Sequence, residues 1–383
     1  KIKNNCQNMR ILLSGAHLTP ALAMIDFIQQ NHPEHQLVFV GRLYSQETLN
    51  QKAIEKTEVE KRGIKFIPFA ASKFTSTSLW NRFNAFCSFP HTVTLAKQIL
   101  LREKIELFLS FGSYLAVPFA IAAKNLKIPV VTHEQTVMMG KANQFIVALA
   151  DKVAISHEAT RNYSRRKDLI LTGNPVRSKI FAKNLARPKW LPITCKNLIL
   201  VMGGNQGSFA INDLIKANLP TLLKKYCIVH QCGRANKIRD SYQELSVLRQ
   251  QLPKVLQSQY FVQEWIEEED LFWLYQHAQF AISRSGANAV LELSLASLPA
   301  ILIPLPSAKQ NEQLANAQAM QQLNGALILQ QAKLTNNTFL DSLAYLDKNY
   351  RQMRLALAKQ QLYQNASAKL YQVLMDVARA KDQ

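Results

Sequence analysis

Two glycine-bearing turns stand about half a chain apart: Ser14-Gly15-Ala16-His17 and Gly203-Gly204-Asn205-Gln206-Gly207-Ser208. Each lies between an apolar run and a helix-like stretch. Such a turn aims unpaired backbone N–H groups and the positive end of a helix dipole at an anion, so the pair suggests two nucleotide-fold halves facing one cleft. One half would hold a phosphate-bearing donor, although a Gly-Gly turn also serves simple tight packing. His17, the only titratable side chain of the first turn, would face the second substrate. An imidazole titrating near neutrality suits removal of a proton from an attacking hydroxyl; a capping or buried hydrogen-bonding histidine is the equal alternative. Further on, Glu292 follows the Arg284-Ser285-Gly286 turn by about two helical turns. A carboxylate beside a nucleotide pocket can accept both ribose hydroxyls, whereas a lone helical Glu is more often a solvated surface residue.

These groups need a scaffold, and the hydrophobic pattern supplies one. Short β-rich runs at Arg10–Leu13, Leu37–Val40, Leu107–Ser110, Val130–Thr132 and Val153–Ile155 alternate with helical stretches. The scheme repeats at Leu198–Met202, Cys227–Gln231, Tyr260–Val262, Phe280–Ser283 and Ala300–Ile303. Strand, helix, strand predicts α/β domains with parallel sheets covered on both faces. Thr19 is expected to cap the first helix, with Pro20 in its first turn. Thr172-Gly173-Asn174-Pro175 and Arg187-Pro188-Lys189-Trp190-Leu191-Pro192 interrupt the pattern, so a hinge is expected within 172–195. The division predicted is 1–173, 174–345, and a helical segment 346–383 that packs back on the first domain.

The chain has 383 residues, 48% of them hydrophobic, and a formal charge of +20. Residues up to Pro175 hold 22 basic and 12 acidic side chains and the rest 24 and 14, so each half carries +10 and no basic arm explains the charge. Such a balance suits polyphosphate substrates, anionic headgroups or nucleic acid, and no nucleic-acid motif supports the last. Cys6, Cys87, Cys195, Cys227 and Cys232 are odd in number and scattered, which fits reduced thiols of a cytoplasmic protein. No metal-ligand spacing is present: His133-Glu134-Gln135 lacks the second His of a zinc helix, Val standing at position 137. No apolar run approaches the ~18 residues of a membrane span, so any membrane contact would be peripheral.

An ordered set of motifs resembles the bacterial cell-wall N-acetylglucosaminyltransferases of glycosyltransferase family 28, the MurG type. They are His17-Leu18-Thr19-Pro20-Ala21-Leu22-Ala23, Ile128 to Gln135, Thr172 to Arg177, Gly203 to Gly207, Arg284-Ser285-Gly286-Ala287 with Glu292-Leu293, Leu298 to Pro306, and Gln313 to Ala317. Together they cover roughly Arg10 to Thr335. The resemblance implies a GT-B fold, two Rossmann-like doubly wound domains facing an interdomain cleft. It further implies an inverting transferase without metal or other cofactor, moving GlcNAc from UDP-GlcNAc to the MurNAc 4-hydroxyl of lipid I in peptidoglycan synthesis. His17 would be the base, with Ser14, Gly15, Ala16, Tyr114, Glu134, Gln135 and Thr136 on the acceptor side. Arg177, Gly204, Asn205 and Gln206 would meet the diphosphate, Ile266 the uracil, and Glu292 the ribose. Ala287, Asn288, Ala289, Val290 and Leu291 would line the nucleotide pocket, and Gln313 would read the GlcNAc hydroxyls.

The expected partners are UDP-GlcNAc, lipid I, an anionic membrane surface at the cytoplasmic face, and cell-wall synthesis proteins. Leu79, Trp80, Phe83, Phe86 and Phe89, with Lys73, Arg82, Lys97 and Lys141 nearby, form an apolar stripe with basic flanks that could be core or a docking face. The chain departs from the family's usual residues mainly on the acceptor side. Leu12, Leu13, Ser14 and Ala16 replace Gly or Thr, Ala116-Val117 replaces a Ser-Gly pair, and Thr136 replaces Asn; Asn205 replaces Ser on the donor side. The alternatives are a related nucleotide-sugar transferase or epimerase and a catalytically impaired nucleotide-binding scaffold.

Overall fold

The structure is a computed structural model that describes residues 8–14, 18–42, 44–46, 51–52, 54–70, 79–182, 184–204, 207–235, 238–308, 311–359 and 365–381. The chain forms two compact units, 1–178 with 363–383, and 179–362.

The first unit holds β1 (Arg10–Ser14), α1 (Leu18–Asn31), β2 (Gln36–Gly41), the hairpin β3 (Tyr44–Gln46) and β4 (Gln51–Lys52), α2 (Ile54–Glu60) and β5 (Lys65–Pro68). It continues with α3 (Leu79–Arg102), β6 (Leu107–Ser110), α4 (Ala116–Asn125), β7 (Val130–Glu134), α5 (Lys141–Leu149), β8 (Lys152–Ile155) and β9 (Leu169–Leu171). Seven of these strands make a parallel sheet in the order β5-β2-β1-β6-β7-β8-β9. Alternation along the strands creates two apolar faces. Leu12, Val38, Phe108 and Val130 pack beneath α3, α4 and α5. Ile11, Leu13, Leu109 and Val131 pack under α1 and under a helix from the far end of the chain.

The second unit contains β10 (Leu198–Met202), α6 (Phe209–Leu222), β11 (Cys227–Gln231), α7 (Ser241–Gln251), α8 (Lys254–Gln257), β12 (Tyr260–Gln263) and α9 (Glu268–His277). After these come β13 (Phe280–Ser283), α10 (Ala287–Leu295), β14 (Ala300–Leu302), α11 (Glu312–Gln322), β15 (Ala326–Ile328) and α12 (Asn336–Ala358). The six strands run parallel in the order β12-β11-β10-β13-β14-β15. The final helix, α13 (Ala366–Lys381), belongs to the first unit, where Leu370, Val373, Leu374 and Val377 complete the second apolar face. Tyr371 stacks on His32, and its hydroxyl meets His35 Nε2 at 2.9 Å.

Three expectations change. Cys195 and Cys227 form a disulfide with Cα atoms 5.5 Å apart, joining the segment before β10 to the first residue of β11. The 32-residue separation brings the pair together because β10 and β11 are adjacent, a neighbourhood that scattered spacing does not reveal. Thr19 lies inside α1, which already runs from Leu18. The helical tail divides differently: α12 packs in the second unit through Phe339, Leu343 and Leu346, and only α13 joins the first.

Candidate functional site

In each unit the strand order reverses next to the first strand, between β1 and β6 and between β10 and β13. Loops leaving the carboxyl ends of such neighbours diverge to opposite faces of the sheet and leave room for a ligand. The turn that begins at Gly203 follows β10 at one of them; Gly15, Ala16 and His17, which follow β1 in the sequence, lie outside the described residues.

In the second unit the turn after β10 is shaped by contacts that exclude side chains. A Cβ on Gly203 would lie 2.3 Å from Ser208 N, and one on Gly207 would lie 2.1 Å from Cys232 O. Gly207 also holds φ +76°, a region that favours glycine. Ser208 then caps α6, its hydroxyl accepting from Ile211 N–H. Asn205 and Gln206 lie outside the described residues, and Gly204 precedes them at φ +83°. The turn after β13 leads to α10, which Gly286 precedes without a side-chain cap, so Ala287, Asn288, Ala289, Val290 and Leu291 form its first turn and a half. Ser285 Oγ and Asn288 Oδ1 are buried with no hydrogen-bond partner among the described residues.

Glu292 is buried on α10 and accepts from the Tyr275 hydroxyl at 3.1 Å, so it is not a solvated face residue. Arg284 is buried as well. Its guanidinium donates to Ile303 O, Pro304 O and Gln331 Oε1, and burial draws its pKa down. Gln313, in the first turn of α11, accepts from Leu305 N–H at 3.0 Å, while Asn316 donates to Ser285 O. Ile266 is 2% exposed and its N–H is bonded to Gln231 Oε1 at 3.1 Å.

Gln231 escaped sequence reasoning. It closes β11, accepts through its main chain from Gly203 N–H and reaches Gly204 O with its amide at 3.5 Å, joining the phosphate turn to the Ile266 segment. Beneath it a buried chain runs from the Tyr260 hydroxyl through His230 to Asn212 and Cys232 O, with spacings of 2.8, 3.0 and 3.0 Å. The carbonyl end must accept, which fixes the Asn212 amide, makes His230 Nε2 the donor, and leaves Nδ1 to accept from Tyr260. Burial lowers the His230 pKa to about 3.

In the first unit, Gly15, Ala16 and His17 lie outside the described residues; Ser14 before them is fully buried, its Oγ without a described partner. After β6, Gly112 and Ser113 adopt φ +74° and +87°, and Gly112 N–H donates to Ser110 Oγ. Tyr114 shares a hydrogen bond with Arg42, which pairs with Glu55 at 3.1 Å. Glu134 ends β7, so the His133-Glu134 pair lies on a strand and not on a metal-binding helix. Gln135 and Thr136 follow it, both buried, and Gln135 Oε1 has no described partner. Arg177 falls on the first unit's side of the division, two residues before the boundary, and not with the other donor candidates. The Leu79–Phe89 stripe lies at the start of α3, but the side chains of 79–87 are outside the description; Phe89 is half-buried. No described helix is long and apolar enough to cross a membrane.

Two doubly wound parallel sheets, each with its strand order reversing beside its first strand, define the architecture of GT-B glycosyltransferases. Residues 14–155 match the glycosyltransferase family 28 N-terminal domain and residues 198–373 the glycosyltransferase family 28 C-terminal domain. Among relatives, the UDP-N-acetylglucosamine–N-acetylmuramyl-(pentapeptide) pyrophosphoryl-undecaprenol N-acetylglucosamine transferase of Clostridium botulinum strain Alaska E43 is 30% identical over 349 residues, 89% of this chain and 90% of that protein. The enzyme of the same name from Clostridium tetani is 28% identical, over 89% of this chain and 90% of its own length. The crystal structure of Acinetobacter baumannii MurG superimposes with a TM-score of 0.69 at 22% identity, covering 96% and 99% of the two chains. The chain belongs to glycosyltransferase family 28.

Proposed function

We propose that the protein transfers GlcNAc from UDP-GlcNAc to the MurNAc 4-hydroxyl of lipid I, working peripherally at the cytoplasmic face of a membrane. The observation that carries this reading is the turn after β10. Its backbone at Gly203 and Gly207 leaves no room for a Cβ, and it opens onto α6, whose N-terminal dipole favours an anion. A departing nucleoside diphosphate requires an anion site, and a tight turn leading into a helix N-terminus supports this reading. The family relationship and the names of the relatives direct the choice of donor and acceptor.

In this reading His17 takes the proton of the acceptor hydroxyl as its oxygen bonds to the anomeric carbon. The bond from that carbon to the diphosphate oxygen breaks, and inversion follows from attack opposite the leaving group. Negative charge growing on UDP would be met by the N-terminal dipoles of α6 and α10 and, as the family resemblance implies, by Arg177. Glu292 would accept from the ribose hydroxyls, with Tyr275 donating to its carboxylate and fixing its rotamer. Buried atoms without partners among the described residues, Ser14 Oγ and Gln135 Oε1 in one unit, Ser285 Oγ and Asn288 Oδ1 in the other, are candidates for bonds that substrates complete. The deciding experiment is turnover of labelled UDP-GlcNAc with a lipid I analogue: formation of the disaccharide lipid supports the reading, and hydrolysis or epimerisation of the donor alone contradicts it.

A further inference from the structure

Glu134 poses a problem of proton counting. Its carboxyl is 4% exposed and has no Lys, Arg or His ion partner among the described residues. Three neighbours face it: Thr136 N–H at 3.0 Å from Oε1, Asn143 Nδ2 at 2.8 Å from Oε2, and a bond from the Gly140 backbone. Thr136 adds a further contact, its Oγ1 lying 2.7 Å from Glu134 Oε1 and 2.8 Å from Met138 O. A hydroxyl carries one proton, and both of these oxygens accept if Glu134 is ionised. One of the two short contacts would then be oxygen against oxygen with no hydrogen between them. A proton on Glu134 Oε1 removes the conflict: the acid donates to Thr136 Oγ1, and Thr136 donates to Met138 O.

The neighbours leave that proton where it is. On α5, Asn143 Nδ2 also donates to His133 O at 3.4 Å, an acceptor only, which fixes its NH2 toward Glu134 and leaves its oxygen to accept from the Thr132 hydroxyl at 2.8 Å. His133, on the same strand, places Nε2 2.9 Å from Gly173 O, and His157 after β8 bonds to the Gln135 backbone. Lys141 at the start of α5 is exposed. Burial acts in the same direction, raising the pKa of the carboxyl.

We propose that Glu134 is a neutral carboxylic acid in the resting protein, and that the sequence Glu134 O–H to Thr136 O–H to Met138 O is the positioning device that holds residues 135–140. The consequence for catalysis rests on the function proposed above. An acceptor bearing a pyrophosphate would meet a turn braced by an uncharged acid and would escape like-charge repulsion. Thr136, where the family usually has Asn, contributes both a donor and an acceptor through one atom.

Infrared spectra of the full-length protein carrying carbon-13-labelled glutamate test this without substrate. At pH about 7, where ordinary Glu with a pKa of about 4.3 is ionised, a carboxylic-acid C=O band is expected that is absent in Glu134→Gln. It should shift in Thr136→Val, which removes the proton's acceptor, and return in Thr136→Ser. No acid band at neutral pH, or a band indifferent to Thr136→Val, overturns the proposal. UDP affinity and circular dichroism of each variant control for folding. With a lipid I analogue, Thr136→Val should raise acceptor KM about tenfold, the scale of one lost hydrogen bond, and the alkaline limb of kcat/KM should vanish in Glu134→Gln, which cannot ionise. A packing role alone leaves that limb in place. An acid band in a protein that glycosylates no lipid acceptor would defeat the proposed function and leave the protonation intact.

Discussion

His17 and Glu292 are assigned to opposite substrates, so their variants should fail differently. His17→Ala removes the proposed base and leaves the donor groups of the second unit untouched. Turnover should fall by roughly 10²–10⁴ with UDP affinity nearly unchanged, and full turnover in the variant would remove His17 from the chemical step. Glu292→Ala should weaken UDP more than its deoxy analogue in calorimetry, because only the ribose hydroxyls lose a partner; equal losses would assign Glu292 to packing with Tyr275. Both residues are candidates in the sequence because each follows a glycine turn at short range, and the family resemblance supplies their roles. Gln231 and Asn143 were not, since their bonds to Ile266 and Glu134 span neighbouring elements, and an amide within or beside an apolar run carries no chemical signature of its own.

The strands legible from the sequence were β1, β2, β6, β7 and β8 in one sheet, all interior, and β10 to β14 in the other, of which only β12 stands at an edge. The strands that escaped are β3 and β4, a short separate hairpin, and β5, β9 and β15, which lie at sheet edges. Burial of these edge strands is partial, as in Lys65–Pro68 with a single buried residue, so their apolar signal is diluted. The reversal points were beyond local reading altogether, because strand order is a property of the folded sheet. At the turn after β10, Gly207→Ala adds strain on the order of 1–3 kcal/mol from the positive φ, together with the clash against Cys232 O; lowered stability and lost UDP binding are expected in thermal melts with and without UDP. The chain of bonds below this turn sets a pH dependence. His230 titrates at about 3 when folded, against 6.5 for an ordinary His. Below 6.5 the unfolded chain binds the proton that the folded one refuses. Stability from this group is therefore complete above 6.5 and declines as pH falls toward 3, by roughly 1.4 kcal/mol per unit. Urea unfolding should show that acid-side slope flattening by this amount in His230→Asn.

Across the whole molecule, a charge of +20 spread evenly along the sequence suits attraction to an anionic surface. Cosedimentation with vesicles should rise with the fraction of anionic lipid and fall as salt shortens the range of the field; equal binding to neutral vesicles at every salt concentration would contradict peripheral, charge-assisted docking. The disulfide and the placement of α13 show what spacing could not supply, since both depend on which segments the fold makes neighbours. The last helix carries one more consequence, in the timing of synthesis. A ribosome completes the strands of the first unit early, yet one face of that sheet, with Leu13, Leu109 and Val131, still lacks its cover from α13. The entire second unit must be translated before that cover emerges. Until then the nascent chain displays an apolar surface of the kind chaperones and proteases recognise. Chains interrupted within the second unit keep that display, so the covering of the first unit's sheet depends on translation having passed through the second.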